Sequence, residues 1–171
     1  MTLFCLFVTL LIIQRILEML LARRNESTVR KMGAIESDAR GYKFIVLMHA
    51  AFFLSLVSEY LLLGRTLNER WPVLVMIFLL TQALRYWSIM SLGIYWNTKV
   101  LVVPGNPIIR KGPYRYLKHP NYLAVAIEIA VIPLIFSCYI TSAVFSLLNL
   151  LVLRRRIRIE DTALRAATSG K

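Results

Sequence analysis

Thiol and imidazole groups are scarce in this chain, with two cysteines and two histidines in 171 residues. Cys5 and Cys138 stand far apart in apolar surroundings, which excludes a disulfide framework and leaves both as packing residues. No metal-ligand spacing links the cysteines to His49 or His119, so a zinc site is excluded on ligand count. Acidic residues are few as well, nine against 21 lysines and arginines. The seven glycines build no phosphate-cradling loop, and neither an internal repeat nor a low-complexity tract is visible. What the chain has instead is apolar surface. Hydrophobic residues make up 58% of it and the mean hydropathy is +0.63, well above an ordinary soluble domain. Such a chain belongs in a membrane.

Three stretches, Thr2 to Leu21, Phe44 to Leu63 and Pro72 to Leu92, match the ~20 residues that a helix needs to cross the hydrocarbon core. The first lacks a basic leader and a small-residue cleavage site and ends in Ala22-Arg23-Arg24, so it reads as a permanent span rather than a removed signal. A fourth stretch, Tyr122 to Leu153, is too long for one crossing, and Pro133 and the polar run Ser137 to Ser142 mark a turn near its middle. Lysines and arginines number six between Ala22 and Lys43, two between Gly64 and Trp71, five between Gly93 and His119, and six from Arg154 onward. Basic links stay in the cytosol. The expected fold is therefore an all-α polytopic membrane protein of five helices: three full spans in residues 1–92 and a helical hairpin over 121–153. A cytosolic loop covers 93–120 and a cytosolic tail 154–171, all in one domain with the N-terminus out and the C-terminus in. The formal net charge of +12 then marks an inner surface that meets anionic lipid headgroups. Nucleic acid is the weaker reading and is not expected as a partner, because the basic residues fall into three juxtamembrane patches with no soluble domain to carry them.

The stretch Gly112-Pro113-Tyr114-Arg115-Tyr116-Leu117-Lys118-His119-Pro120-Asn121-Tyr122 stands out from the apolar background. Pro120 suits the first position of a helix and holds His119 extended just outside it. Free backbone N–H groups and the positive end of the helix dipole then lie beside His119 and Tyr122, an anion-binding corner. Charge counting puts this stretch and Arg154 to Leu164 on the same side, flanking one hairpin. They can build one site at the boundary of water and lipid, where a polar reagent meets an oily one. Other polar residues in the spans have structural readings. Arg15 and Glu18 are spaced to pair and to snorkel towards the inner end, while His49, Glu59, Arg85 and Glu128 are candidates for interhelical contacts. The loop from Gly93 through Pro107 has turn residues around a short extended run, Lys99 to Val103, and forms part of the site wall. Its Trp96 fits the lipid entrance or an interfacial anchor equally.

Gly112-Pro113-Tyr114, then Lys118-His119-Pro120-Asn121-Tyr122, then Arg156-Ile157-Arg158-Ile159-Glu160-Asp161 and Leu164, resemble the signature of isoprenylcysteine carboxyl methyltransferase-like membrane enzymes. That signature is glycine, any residue, tyrosine, then Arg-His-Pro-x-Tyr, then an arginine ahead of a Glu-Glu pair. The resemblance covers the C-terminal half closely and the N-terminal half in hydropathy alone. Two positions depart from it: Lys118 replaces the arginine and loses its bidentate fork, and Asp161 replaces the second glutamate with a shorter reach.

The resemblance implies S-adenosyl-L-methionine as methyl donor, bound by Tyr114, Lys118, His119, Pro120, Asn121, Tyr122, Glu160 and Asp161, with no metal. Tyrosines 114, 116 and 122 offer aromatic faces to the sulfonium, at ~0.5–2 kcal/mol each. For Tyr116 an interfacial belt accounts for the residue as well, and for Arg115 headgroup contact is the better reading. His119 and Lys118 suit the donor's carboxylate, and Glu160 its ribose or ammonium group. Arg156, four residues before Glu160, is implied as the catalytic residue that positions the acceptor oxygen together with Glu160, with Arg158 as fallback. The acceptor is implied to be a lipophilic molecule entering from the bilayer. An alkylpyrone-type enol comes first, by likeness to bacterial relatives that accompany type III polyketide synthases; a prenylcysteine carboxylate and a phospholipid amine follow. Outside the enzyme class, a non-catalytic membrane scaffold is the alternative.

Overall fold

The computed structural model describes residues 1–106 and 108–169. Pro107, Gly170 and Lys171, which the sequence reading placed in the loop and the tail, lie outside the described residues. Among the described residues the chain forms five α-helices: α1 (Thr2–Lys31), α2 (Ala39–Leu62), α3 (Trp71–Leu92), α4 (Pro120–Ile135) and α5 (Tyr139–Ser169). The first three are long and apolar enough to cross a membrane.

Helix boundaries follow local chemistry. In α1 the apolar run continues into a charged and polar stretch without glycine or proline until Gly33, so the helix reaches Lys31 rather than ending near Leu21. Asp38 caps α2, its carboxylate accepting from the Gly41 amide at 3.1 Å. Pro72 opens α3 and Gly93, at φ 55°, closes it. Pro120 opens α4 as expected, with His119 in the capping position. The helix ends at Ile135, and Ser137 beyond it, with a φ of 54° and its amide donating to the Leu134 carbonyl while that of Cys138 donates to Pro133, forms a Schellman turn. At 16 residues α4 spans about 24 Å, short of the ~30 Å hydrocarbon core.

The tail from Arg154 continues α5, which runs without a break from Tyr139 to Ser169. Nothing between Arg154 and Leu164 breaks a helix, and a stop at the membrane surface does not require a stop in the backbone. The structure is mostly helical with five α-helices, as expected, and adds one short ribbon in which Ile35–Glu36 (β1) and Leu101–Val102 (β2) pair antiparallel. The extended run expected at Lys99 to Val103 thus finds its partner in the α1–α2 link.

This ribbon has a positional consequence. It ties the α1–α2 link to the α3–α4 loop, while Arg155 of α5 meets Asp38 at 3.0 Å and Lys99 meets Glu26 at 2.8 Å. All the motif-bearing segments therefore gather at one end of the bundle. The apolar core lies towards the other end, around Phe4, Phe52, Leu56, Ile132 and Phe136, with Phe4 and Phe136 edge to face at 4.9 Å.

Candidate active site

His119 and Tyr122 bracket the first turn of α4, and their rings stack at 5.3 Å with 15° between planes. Opposite them the C-terminal half of α5 brings Arg156 and Glu160, one helical turn apart, and Asp161 next to Glu160. The Tyr122 hydroxyl donates to Glu160 and accepts from Arg156 Nε at 2.9 Å. Arg156 is buried, lies 5.4 Å from the Tyr122 ring and donates through Nη2 to the Thr98 carbonyl at 2.5 Å. Asp161 accepts from Lys118 Nζ at 2.6 Å and pairs with His119 Nε2 at 3.2 Å. The second His119 nitrogen is 3.9 Å from Glu160. Burial pushes the Asp161 carboxyl up, but the hydrogen bonds from Lys118 and His119 outweigh it and hold the group below its ordinary value.

Tyr114 reaches the same place from a 3-10 turn at Gly112–Arg115 packed on α3. Burial and then the charge of Glu160 raise its hydroxyl pKa, and a hydrogen bond with Ser88 opposes them, so the phenol stays neutral. Gly112 makes the close approach possible. Its φ is 53°, and a Cβ there would stand 2.0 Å from Ser91 Oγ and 2.8 Å from Trp87 Nε1.

These elements enclose a cavity of about 540 Å³, the size of a cofactor or drug-sized site. Its lining includes Tyr114, Lys118, His119, Asn121, Tyr122, Glu160 and Asp161 together with apolar residues such as Leu92, Val100, Ile109 and Leu164. Of the residues expected at the site, Pro120 and Arg156 are not among the lining: Pro120 is buried at the helix start, and Arg156 stands behind Tyr122. Trp96 and Asn121, both lining residues, carry atoms that find no protein partner, the indole Nε1 and the amide Oδ1. A buried polar atom left so costs ~1–3 kcal/mol, a cost that a bound polar ligand can recover.

Sequence reasoning undervalued the loop and the interior. Trp96 is buried rather than placed at an entrance, fixed by Asn25 Nδ2 donating to its carbonyl at 2.8 Å. A single asparagine in α1 gives no sequence signal for that role. Arg15 and Glu18 do pair, at 2.8 Å, but they belong to a buried cluster instead of snorkelling. Arg85 of α3 binds both Glu18 and Glu128, Arg15 reaches Glu128 at 2.6 Å, and Gln82 reaches Glu128 at 2.6 Å. Two arginines neutralise two glutamates, which is how such charges persist between membrane helices. Glu59 serves another end, accepting from the Thr141 amide at 2.7 Å where α5 begins and pairing with Arg65 at 3.1 Å.

The chain is 48% identical over 161 residues to the uncharacterized protein YpbQ of Bacillus subtilis (strain 168), covering 94% of this chain and 96% of that one. It is 26% identical over 142 residues to an uncharacterized protein of Haemophilus influenzae (strain ATCC 51907 / DSM 11121 / KW20 / Rd), covering 82% and 83%. No solved structure matches it. The model of the isoprenylcysteine carboxyl methyltransferase (ICMT) family matches residues 73–166, a span that runs from the start of α3 through Asp161 and so takes in every side chain of the His119–Tyr122–Glu160 cluster. With its apolar spans and this match, the chain belongs to the isoprenylcysteine carboxyl methyltransferase family and is a multi-pass membrane protein of that methyltransferase family.

Proposed function

We propose that this protein transfers a methyl group from S-adenosylmethionine to an oxygen of a lipophilic acceptor held at the membrane boundary. The observation that carries this reading is a cavity with one ionic wall, formed by Lys118, His119, Glu160 and Asp161, and one apolar wall, with Leu92, Val100 and Leu164. When bound, S-adenosylmethionine supplies an electrophilic methyl group on a sulfonium that leaves as a neutral thioether. The residues present fit that molecule. Lys118 and His119 suit its carboxylate, Glu160 and Asp161 its ammonium and hydroxyl groups, and the rings of Tyr114 and Tyr122 its cationic sulfur. The unpaired atoms of Trp96 and Asn121 offer further polar contacts.

An ionised carboxylate or acidic enol needs alignment and desolvation rather than a strong base. Glu160, turned towards Tyr122, acts in orienting the reactants, and Arg156 acts on the acceptor side through the Tyr122 hydroxyl that it holds. The first acceptor class is an alkylpyrone-type enol, which makes a type III polyketide synthase a functional partner; a prenylcysteine-type carboxylate is the second. We place the whole chain in one domain in the cell membrane, with the N-terminus outside and the cavity facing the cytosol, since the end that carries the cavity also carries the basic links.

The test is methyl transfer itself. Purified protein in lipid is given S-adenosylmethionine labelled in the methyl group and a long-chain alkylpyrone or prenylcysteine, and products are read by mass spectrometry. An O-methylated product absent from Glu160→Ala supports the reading. Methylation at nitrogen, or the same product yield from Glu160→Ala, refutes it.

A further inference from the structure

Two adjacent arginines of α5 point in different directions, and their partners fix which way. Arg156 is buried and donates to the Thr98 carbonyl, and the Tyr42 hydroxyl of α2 accepts from Thr98 Oγ1 at 3.4 Å, so Arg156 and Tyr42 both face the α3–α4 loop. Arg155 faces α2 itself, where its two terminal nitrogens donate to Asp38 at 3.0 and 3.3 Å. Gly41 lies in the same seam: a Cβ there would stand 2.1 Å from Asp38 Oδ2 and 2.3 Å from Arg155 Nη1.

α2 and α5 run antiparallel, since Ser55 meets Thr141 towards one end of the seam and Asp38 meets Arg155 at the other. A helical step of ~100° per residue then sends Arg40 and Arg154 out of the seam on the side away from the loop, opposite to Tyr42 and Arg156. Arg158 follows Arg154 one turn on. Arg40, Arg154 and Arg158 are exposed and form no ion pair among the described residues. Further along the same face, Phe44 and Leu47 continue the stripe of Arg40, and Leu151 and Leu147 that of Arg154, at three- and four-residue spacing. All four are exposed. The surface thus passes from cationic to apolar within two turns, where the apolar helix α2 begins.

The acids nearby are already engaged. Asp38 is buried, caps the Gly41 amide and holds Arg155, whose own side chain stays 58% exposed. Glu160 and Asp161, the next acids along α5, are held by Tyr122 and by Lys118 and His119. Four arginines therefore share one buried carboxylate. Planar guanidinium groups in such number match the oxygens of a phosphodiester, and the apolar stripes below them match acyl chains.

We propose that this side of the α2–α5 seam seats an anionic phospholipid, its phosphate among Arg40, Arg154, Arg155 and Arg158 and its chains along Phe44 and Leu151. The seat does not depend on the methyltransfer reading. It is discrete and saturable, unlike the diffuse attraction of basic links to a charged bilayer. A lipid there bridges the start of α2 to the middle of α5 and so stabilises the native state that binds it.

The experiment uses full-length protein in a neutral detergent, titrated with dioleoyl phosphatidylglycerol or dioleoyl phosphatidylcholine. Bound lipid is counted by native mass spectrometry, and the unfolding midpoint is recorded on the same samples. Phosphatidylglycerol is expected to bind saturably, about tenfold tighter than phosphatidylcholine, and to raise the midpoint as it does so. Arg40→Gln/Arg154→Gln, which removes no ion pair of the fold, loses that preference, and Arg40→Lys/Arg154→Lys keeps most of it. Arg23→Gln/Arg24→Gln, which removes two exposed charges from α1 instead, leaves it in place. An equal loss in both glutamine pairs, uptake without saturation, or equal retention of the two lipids overturns the proposal. So does a preference that survives Arg40→Gln/Arg154→Gln, or displacement of the lipid by inorganic phosphate at equal concentration, which would make the seat an ion site.

Discussion

Arg156 meets the cavity through Tyr122: its Nε donates to the tyrosine hydroxyl at 2.9 Å, and that hydroxyl in turn donates to Glu160. One phenol thus joins the arginine and the acid that stand four residues apart on α5. Removing the hydroxyl leaves a buried guanidinium with one fewer acceptor, and a hydrogen bond to a charged group is worth ~1.5–3 kcal/mol. Tyr122→Phe is therefore expected to lower the unfolding midpoint and to weaken S-adenosylhomocysteine binding about tenfold or more, as calorimetry would read it. Unchanged affinity in this variant would separate the phenol from the donor site.

Gly112 tests the seating of the 3-10 turn. Alanine there meets both a positive φ of 53° and a Cβ position 2.0 Å from Ser91 Oγ. The strain is of order 1–3 kcal/mol before the clash is added. Thermal unfolding of Gly112→Ala should fall accordingly, and Ser91→Gly in the same chain should recover only part of the loss, since it removes the Ser91 clash and leaves the 2.8 Å approach to Trp87 Nε1 and the backbone conformation. Full recovery would mean that sterics alone decide this position.

The interior cluster predicts an asymmetry between breaking it and replacing it. Arg85→Met leaves Glu18 and Glu128 facing each other with Arg15 as their remaining arginine, and removing one partner of a buried pair costs ~3–5 kcal/mol. Arg85→Met combined with Glu18→Gln should be markedly more stable than the single change, as measured by retention of monodisperse protein on heating in detergent. Equal losses in the two variants would show that the cluster does not act through charge balance.

Asp161 sets a pH dependence whose sign follows from its depressed folded value. Its contribution is fully present above the ordinary aspartate value of ~3.9 and is lost as pH falls through the folded value below that. Its partner Lys118 is largely exposed, so the effect is modest. Wild-type protein should lose unfolding temperature on acidification below about pH 4 more steeply than Asp161→Asn, whose curve is flatter there. Parallel curves would remove Asp161 from the ion pair that the structure shows.

The sequence was most legible where covalent chemistry restricts the backbone. Pro120 announced the start of α4 and the place of His119 beside it, and the polar run after Pro133 announced the turn that Ser137 makes. It was least legible where partners come from distant segments. Arg154 to Arg156 lie within α5, whose helix propensity carries it on to Ser169. The burial of Trp96 depends on Asn25, 71 residues away, and Arg85 finds Glu18 at a separation of 67. No local spacing encodes such pairs. Arg156 was picked for its helical spacing from Glu160, yet the structure puts Tyr122 between the arginine and the cavity, a relation that only the α4–α5 packing creates.

The donor site is the centre of the account, and binding of S-adenosylhomocysteine to detergent-purified protein by calorimetry tests it most directly. Wild type is compared with His119→Ala and Glu160→Ala, each checked for an intact fold. The account predicts micromolar binding by wild type that either substitution abolishes. A well-folded wild type that binds nothing, or variants that bind as wild type does, would contradict it.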